Sequence, residues 1–154
     1  MTAPLSQRIR LRVNGLLADE GRLLMVRLYS PVVRKMIWMP PGGELLFGES
    51  MAQGVSREMK EETGLTVEAG PLWYVHEVQA NGIHAVEFYF KCRKQGGALI
   101  TGTDPEYGES EQIIEETAYL DYNRLKEEDI YPEYLRYGLI KDLSDENFTP
   151  PRVI

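Results

Sequence analysis

The sequence predicts an α/β fold in which a central mixed β-sheet lies between helices. Three features indicate this class. Apolar residues alternate with arginines over residues 9–13, which is the period of a strand. A capped helix is expected at Met51–Thr63, and a β-hairpin is expected around Asn81-Gly82. Strands on both sides of a buried helix are typical of a sheet covered by helices.

Two strands are predicted in the first thirty residues. Residues 9–13 form the first, and a turn follows at residues 19–21. The nearly continuous apolar run at residues 22–29 predicts a second strand that is buried on both faces. Pro31 ends this strand, because proline lacks the amide hydrogen that a β-ladder needs.

The segment before the predicted helix is expected to be irregular. Pro40-Pro41-Gly42-Gly43 removes amide donors and permits positive φ angles. Ser50 then fits the N-cap position, and Gln53 completes a capping box. The helix should cover Met51–Thr63, with Gly64 as the left-handed residue that ends it.

One face of this helix is predicted to pack against the core. Met51, Val55 and Met59 form its apolar stripe. Gly54 lies inside the helix, where glycine costs about 1 kcal/mol relative to alanine. A close approach of the helix to a neighbouring strand would explain this glycine.

The second half of the chain predicts mainly strands. Residues 72–79 and 83–93 form the hairpin, and the long polar stretch of residues 95–112 is expected to be a loop. A short strand is predicted at residues 117–120. A last helix is predicted to begin at Pro132 and to place Leu135, Leu139 and Leu143 on one face.

Composition narrows the class of function. The net charge of −7 disfavours long nucleic acids as partners, because they bind to basic surfaces. The sequence has no apolar run long enough to predict a membrane helix. Its single cysteine, Cys92, rules out an intrachain disulfide and favours a cytoplasmic location. The expectation is one domain over residues 1–154, and a homodimer is left open.

Residues 43–65 carry the densest group of chemically active side chains. Glu58, Glu61 and Glu62 fall at i, i+3 and i+4 of the predicted helix and therefore share one face. Like charges at this spacing destabilise a bare helix by about 0.2–0.5 kcal/mol per pair. A hard divalent cation such as Mg²⁺ reverses that effect, because it prefers oxygen ligands.

The pattern in this segment is G-x5-E-x7-R-E-U-x-E-E-x-G-U, where U is a bulky aliphatic residue. Every fixed position is met between Gly43 and Leu65. The pattern resembles the signature of the Nudix hydrolase family, and the preceding run from Trp38 is similar to the Trp-x-Pro-Gly-Gly entry of many members. The resemblance implies a Nudix-like α/β/α sandwich in which the signature forms a loop, a helix and a loop.

The resemblance also implies roles for the matching residues. The implied ligands of Mg²⁺, or of Mn²⁺ as a substitute, are Glu58, Glu61, Glu62 and the backbone carbonyl of Gly43. Glu49 would support this site by hydrogen bonding or through metal-bound water. Arg57 reaches Glu61 at i+4, and Glu49 across the loop, so it would orient carboxylates without competing for metal.

Two sources of the general base stay open. One is a glutamate of the signature, with Glu58 and Glu61 as catalytic candidates. The other is the loop after the hairpin, which supplies Glu106, Glu109, Glu111, Glu115 and Glu116. We select Glu111 from the loop, because it lies late in that loop and outside the predicted strand.

Basic and aromatic side chains outside the signature are the predicted substrate contacts. Arg27 and Arg34, together with Lys35 and Arg10, precede the signature and would contact phosphates. The aromatic candidates for stacking on a base are Trp73, Tyr74, Tyr89 and Tyr107, of which we select Tyr89. No membrane partner is expected, and the predicted partner is a small nucleotide.

These features predict a Mg²⁺-dependent pyrophosphohydrolase. Its substrate would be a nucleoside diphosphate linked to another moiety, and a nucleoside triphosphate, normal or oxidised, is the first choice. ADP-ribose or another nucleotide sugar is the alternative substrate. The rival class is a non-catalytic nucleotide-sensing module with the same fold.

Overall fold

The computed structural model describes residues 8–100 and 114–154 and confirms the α/β class with a mixed sheet. The strands are β1 Ile9–Leu16, β2 Ala18–Asp19, β3 Arg22–Ser30, β4 Lys35–Met39, β5 Gly42–Glu44, β6 Leu65–Ala80, β7 Ile83–Gly97, β8 Ile114–Asp121 and β9 Arg152–Val153. The α-helices are α1 Met51–Thr63, α2 Tyr122–Glu127 and α3 Gly138–Ser144, and a short 3-10 helix covers Glu133–Arg136.

The strands form two sheets that enclose the core. The mixed sheet has the order β5-β1-β7-β6-β9, and β1 runs parallel to β7 but antiparallel to β5. The second sheet is antiparallel, with β3 paired to β2, β4 and β8. Leu23–Val26 of β3 are buried on both faces, as the continuous apolar run predicted.

Helix α1 has the predicted bounds and caps. The Ser50 hydroxyl accepts from the Gln53 amide at 3.1 Å, and the Gln53 side chain accepts from the Ser50 amide at 2.8 Å. Gly64 ends the helix with φ 78°. A Cβ at Gly54 would lie 2.9 Å from Cγ2 of Val13 on β1. The predicted close approach of helix and strand is therefore confirmed.

The predicted apolar stripe of α1 is correct except at its first residue. Val55 and Met59 are each 1% exposed, whereas Met51 is 38% exposed. Met51 lies in the first turn, and the buried face of the helix begins only at Gly54. The prediction of Met51 as a core residue was therefore wrong.

Strands extend further than the sequence suggested. The hairpin pairs Leu65 with Gly97, so the first residues of the predicted 95–112 loop belong to β7. Two register shifts lie between Thr66 and Leu72, and the second accommodates the Gly70-Pro71 pair within β6. Strand β8 also begins at Ile114, three residues before the predicted position.

The last helix is broken into two pieces. Leu135 and Leu139 are buried as predicted, but Tyr137 separates the 3-10 helix from α3 with φ −128°. The Tyr134 ring packs against Gly138, where a Cβ would lie 2.7 Å from its Cε2 atom. One continuous helix from Pro132 was therefore a wrong prediction. No helix in the described parts of the chain is long and apolar enough to cross a membrane.

Candidate active site

The centre of the site is a forked ion pair between the loop before α1 and the helix itself. Arg57 donates to the two oxygens of Glu49, from Nε at 2.9 Å and from Nη2 at 2.8 Å. The Leu46 amide also donates to Glu49, at 3.0 Å. Hydrogen bonding to Arg57 lowers the pKa of Glu49 and raises that of Arg57 in return. Both groups therefore stay charged at neutral pH.

Arg57 also contacts the predicted metal ligands. Its Nη1 atom donates to Glu58 Oε1 at 2.8 Å and to Glu61 Oε2 at 3.3 Å, and its Nη2 atom donates to the Glu44 carbonyl at 3.1 Å. The structure thus places Arg57 against both Glu49 and Glu61, the two contacts that the spacing predicted. One guanidinium fixes the relative positions of three carboxylates.

Glu62 and Glu58 are carboxylates in an unfavourable environment. Burial raises the pKa of Glu62 well above its ordinary range, and the charge of Glu58 raises it further. The Gly42 amide donates to Glu62 Oε2 at 3.2 Å, which partly opposes this shift. Burial also raises the pKa of Glu58, against the effect of Arg57. A cation at these oxygens would relieve the repulsion.

Gly43 is required for clearance rather than for an unusual φ angle. Gly43 lies in β5 and pairs with Val13 of β1, and its φ angle is not positive. A Cβ at Gly43 would lie 2.6 Å from the carboxylate carbon of Glu58. The expectation of an irregular segment was wrong for Gly42-Gly43, because strand pairing with β1 holds both residues extended.

The proposed ligand set consists of carboxylate oxygens and one backbone carbonyl. Over residues 8–100 and 114–154, no three acidic, histidine or cysteine side chains are arranged to hold a metal ion. Arg57 is hydrogen-bonded to Glu58 and Glu61 in this arrangement. The chemistry of the set nevertheless suits Mg²⁺, because its ligands are all oxygens, partly buried and mutually repulsive. Metal binding by these residues stays a prediction.

A cleft lies between β1 and β7 of the mixed sheet and β3 and β4 of the second sheet. Its cavity has a volume of about 20 Å³, which is room for about one water molecule. Its lining residues are Arg10, Arg12, Ser30, Pro31, Val32, Met39, Ile83, Ala85, Glu87 and Tyr131. The charge of Arg12, one of these lining residues, lowers the pKa of both Glu58 and Glu62 against the larger effect of burial.

A buried carboxylate stands at the wall of this cleft. Glu87 is 3% exposed, and its Oε1 atom accepts from Tyr131 at 2.9 Å and from Tyr89 at 3.4 Å. The same oxygen lies 2.9 Å from Nδ1 of His76. Its other oxygen lies 3.5 Å from Nε of Arg12. Arg12 and Glu87 were not predicted, although the arginine alternation along β1 was visible in the sequence.

Of the predicted substrate residues, Arg10 lines the cleft, but the others named here do not join it. Arg27 pairs with Glu115 at 2.9 Å, Arg34 is exposed in the turn after β3, and neither lines the cleft. Tyr89 is 0% exposed and offers no surface on which a base could stack. Glu111, the selected loop base, lies outside the described residues.

The family comparison identifies the class of protein. The model of the NUDIX domain matches residues 8–137, and the chain therefore belongs to the Nudix family. The solution structure of the E. coli ORF135 protein has the same fold, with a TM-score of 0.69 at 16% identity. That match covers 96% of this chain and 100% of the ORF135 chain.

Two curated relatives differ in the activity that their names state. The 8-oxo-dGDP phosphatase NUDT18 of Mus musculus is 36% identical over 90 residues, which are 58% of this chain and 27% of that protein. The ADP-ribose pyrophosphatase of Methanocaldococcus jannaschii is 28% identical over 134 residues, covering 81% of this chain and 72% of that protein. The chain thus spans about a quarter of the length of the first relative.

Proposed function

We propose that the chain is a Mg²⁺-dependent pyrophosphohydrolase of the Nudix family. It would cleave a phosphoanhydride in a nucleoside diphosphate linked to another moiety, with a nucleoside triphosphate, normal or oxidised, as the first candidate. The observation that carries this proposal is the arrangement of Glu49, Glu58 and Glu61 around the single guanidinium of Arg57. A solvent-exposed helix without a functional role would not require this network of contacts.

Each residue has a defined task in the proposed site. The oxygens that would hold Mg²⁺ are those of Glu58, Glu61, Glu62 and the Gly43 carbonyl. The bound cation would neutralise phosphate charge and activate water. Arg57 orients Glu58 and Glu61, and Glu49 holds Arg57 in position.

The proton acceptor is proposed to be a glutamate. Glu111 is the candidate from the loop, and Glu58 and Glu61 are the candidates within the signature. Proton transfer by a positioned side chain contributes about 10²–10⁴-fold to a rate. Substitution of Glu111 therefore distinguishes the two sources, because Glu58 and Glu61 are proposed metal ligands as well and their loss would lower turnover in either case.

A second substrate class is favoured by one comparison. The relative that aligns over 81% of this chain is named an ADP-ribose pyrophosphatase. We therefore propose ADP-ribose, or another nucleotide sugar, as the second candidate. Both substrates contain a diphosphate beside a nucleoside, so the carboxylate group would serve either one.

The test is a turnover screen with the purified chain in excess Mg²⁺ and in chelator. Nucleoside triphosphates, 8-oxo-dGTP and ADP-ribose are compared, and the products identify the bond that is cleaved. We expect Mg²⁺-dependent release of a nucleoside monophosphate from one substrate class. Nucleotide binding without turnover of any substrate would instead establish the sensing module.

A further inference from the structure

The first half of strand β1 faces the opposite way from an ordinary amphipathic strand. Its apolar residues Ile9 and Leu11 are 58% and 45% exposed, whereas the side chains of Arg10 and Arg12 are only 15% and 12% exposed. In a half-buried strand the apolar side chains normally face the core and the polar ones face water. The exposed side of β1 is therefore apolar, while charged residues lie on its buried side.

The strand register continues this apolar surface across the mixed sheet. Leu11 pairs with Val86 of β7. In the next row Phe88 of β7 pairs with Val75 of β6, which pairs in turn with Val153 of β9. Paired residues of neighbouring strands, and residues two apart in one strand, point to the same side of a sheet. The resulting surface is called the open face, and it consists of Ile9, Leu11, Val75, Val86, Phe88 and Val153.

Helix α1 covers only the other half of this side of the sheet. Val13 of β1 and Phe90 of β7 lie in one buried cluster with Met59 of the helix. Phe88 is only partly buried at the edge of this cluster. Beyond it, Val153 is 78% exposed. The half of the sheet nearest the β6–β7 turn thus presents apolar side chains to solvent.

The open face carries almost no net charge. Its ionisable neighbours are Glu77, which pairs with Val86, and His84, which pairs with Ile9. The side chains of Glu77 and His84 lie 2.9 Å apart. Among the described residues, no arginine or lysine occupies a paired position on this face. Nucleic acids and anionic membranes bind to basic surfaces, so neither suits this one.

A second copy of the chain suits the open face in charge and in shape. The net charge of −7 makes two copies repel each other, so they can associate only through a surface without excess charge. The open face meets that condition. A second open face also has the same twist, which lets the side chains of the two sheets interdigitate as they do in a β-sandwich.

We propose that two copies of this chain associate through the open face, sheet against sheet, as a symmetric dimer. In a symmetric interface the same patch is used by both copies, so each residue of the face is buried twice. This inference goes beyond the proposed function, because the open face contains none of the residues assigned to catalysis or substrate binding.

The size of the open face determines how tightly the dimer is held. Four strands about 4.8 Å apart, over about 15 Å of strand length, give a surface of roughly 300 Å². Stable interfaces bury about 800 Å² per partner. We therefore expect a weak and reversible dimer, whose population depends on protein concentration.

The test is sedimentation equilibrium of the full chain from about 1 μM to about 1 mM. We expect a monomer–dimer equilibrium in the wild type. Ile9→Glu and Val153→Glu should each raise its Kd about tenfold to hundredfold, because each substitution places two carboxylates in the apolar contact. Both positions are exposed, so the thermal midpoint of the dilute monomer should change little.

Ile100→Glu is the matched control for these variants. Ile100 is 50% exposed and lies beside Gly64 at the end of α1, outside the open face. The control therefore adds the same charge to the chain and should leave the Kd unchanged. A wild type that stays monomeric over the whole range would overturn the proposal. A dimer that Ile9→Glu and Val153→Glu do not weaken, or that Ile100→Glu weakens equally, would overturn it as well.

Discussion

Arg57 and Glu49 form a two-point contact, with Nε and Nη2 of the guanidinium 2.9 and 2.8 Å from the two carboxylate oxygens. Parallel hydrogen bonds of this kind fix the plane of both groups, which a lysine ammonium does not do. The contact joins the loop before α1 to the second turn of the helix. The orientation of Glu58 and Glu61 therefore depends on a residue that binds no metal itself.

Glu49→Gln should lower the free energy of unfolding by about 1 kcal/mol at pH 7, because a partly buried, charge-assisted contact is lost. Arg57 lowers the pKa of Glu49 in the folded protein. The stabilisation is therefore complete above the ordinary carboxyl pKa of about 4.3 and lost as pH falls through the lower folded value. Denaturant unfolding at several pH values should show the two proteins converging in acid. A difference independent of pH would contradict this assignment.

Glu62→Gln should raise the thermal midpoint in chelator. The substitution removes a carboxylate whose pKa is raised by burial and by the charge of Glu58, while the amide oxygen still accepts from Gly42. The same change should reduce the stabilisation that Mg²⁺ gives to the wild type. Thermal unfolding with and without Mg²⁺ measures both effects. An undiminished Mg²⁺ shift would remove Glu62 from the ligand set.

Glu61→Gln should reduce turnover by orders of magnitude with little change in stability. Glu61 is 39% exposed and its contact with Arg57 is 3.3 Å long, so the folded state loses only a weak pair. The substitution removes one negative charge from the carboxylates that are proposed to bind Mg²⁺, and turnover should fall for that reason. Turnover in excess Mg²⁺ is compared with that of Glu128→Gln, which loses the Arg124 pair on a different helix. Near-normal turnover of Glu61→Gln would exclude a catalytic role.

Gly43→Val should damage activity more than Gly96→Val. A side chain at Gly43 displaces the Glu58 carboxylate, whereas nothing lies within 4 Å of a Cβ at Gly96. Both variants add the same isopropyl group to a strand. Turnover per folded molecule is the measurement, with the folded fraction taken from circular dichroism. Equal loss in both variants would show that clearance at Gly43 has no special importance.

Glu111→Gln should lower kcat by about 10²–10⁴-fold with little effect on metal affinity, if Glu111 accepts the proton from water. Glu109→Gln and Glu115→Gln make the same charge change nearby. Glu115 is paired with Arg27, so its variant also reports the cost of that pair. Full kcat in all three variants would mean that the base lies in the signature helix or that the metal alone activates the water.

Much of the fold was predictable because its signals are local. The capping box at Ser50, the glycine at position 64 and the Asn81-Gly82 turn each act within a few residues. The broken last helix was not predictable, because Leu135, Leu139 and Leu143 keep a helical spacing across the break at Tyr137. The extended hairpin was missed for a similar reason, since bulges in β6 accommodate a Gly-Pro pair.

The same contrast holds for the site, where contacts within one helix were predictable and contacts between strands were not. Glu58 and Glu61 contact Arg57 as their spacing predicts, because one helix carries all three residues. The cleft depends on pairing between β1 and β7, which places Arg12 opposite Glu87 in the register. No short-range pattern encodes that pairing. Tyr89 was chosen for its chemistry, but the same register turns its side chain into the core.

The capping box has a consequence for the geometry of the whole signature. Ser50 and Gln53 determine the residue at which α1 starts, and each residue of an α-helix turns the chain by about 100°. Moving the start by one residue would aim the helix carboxylates a quarter of a circle or more away from β5. The loop of residues 45–48 serves the same end, because its Leu46 amide donates to Glu49, which holds Arg57 against the helix carboxylates. The start of the helix and the loop before it thus set the direction of the carboxylates together.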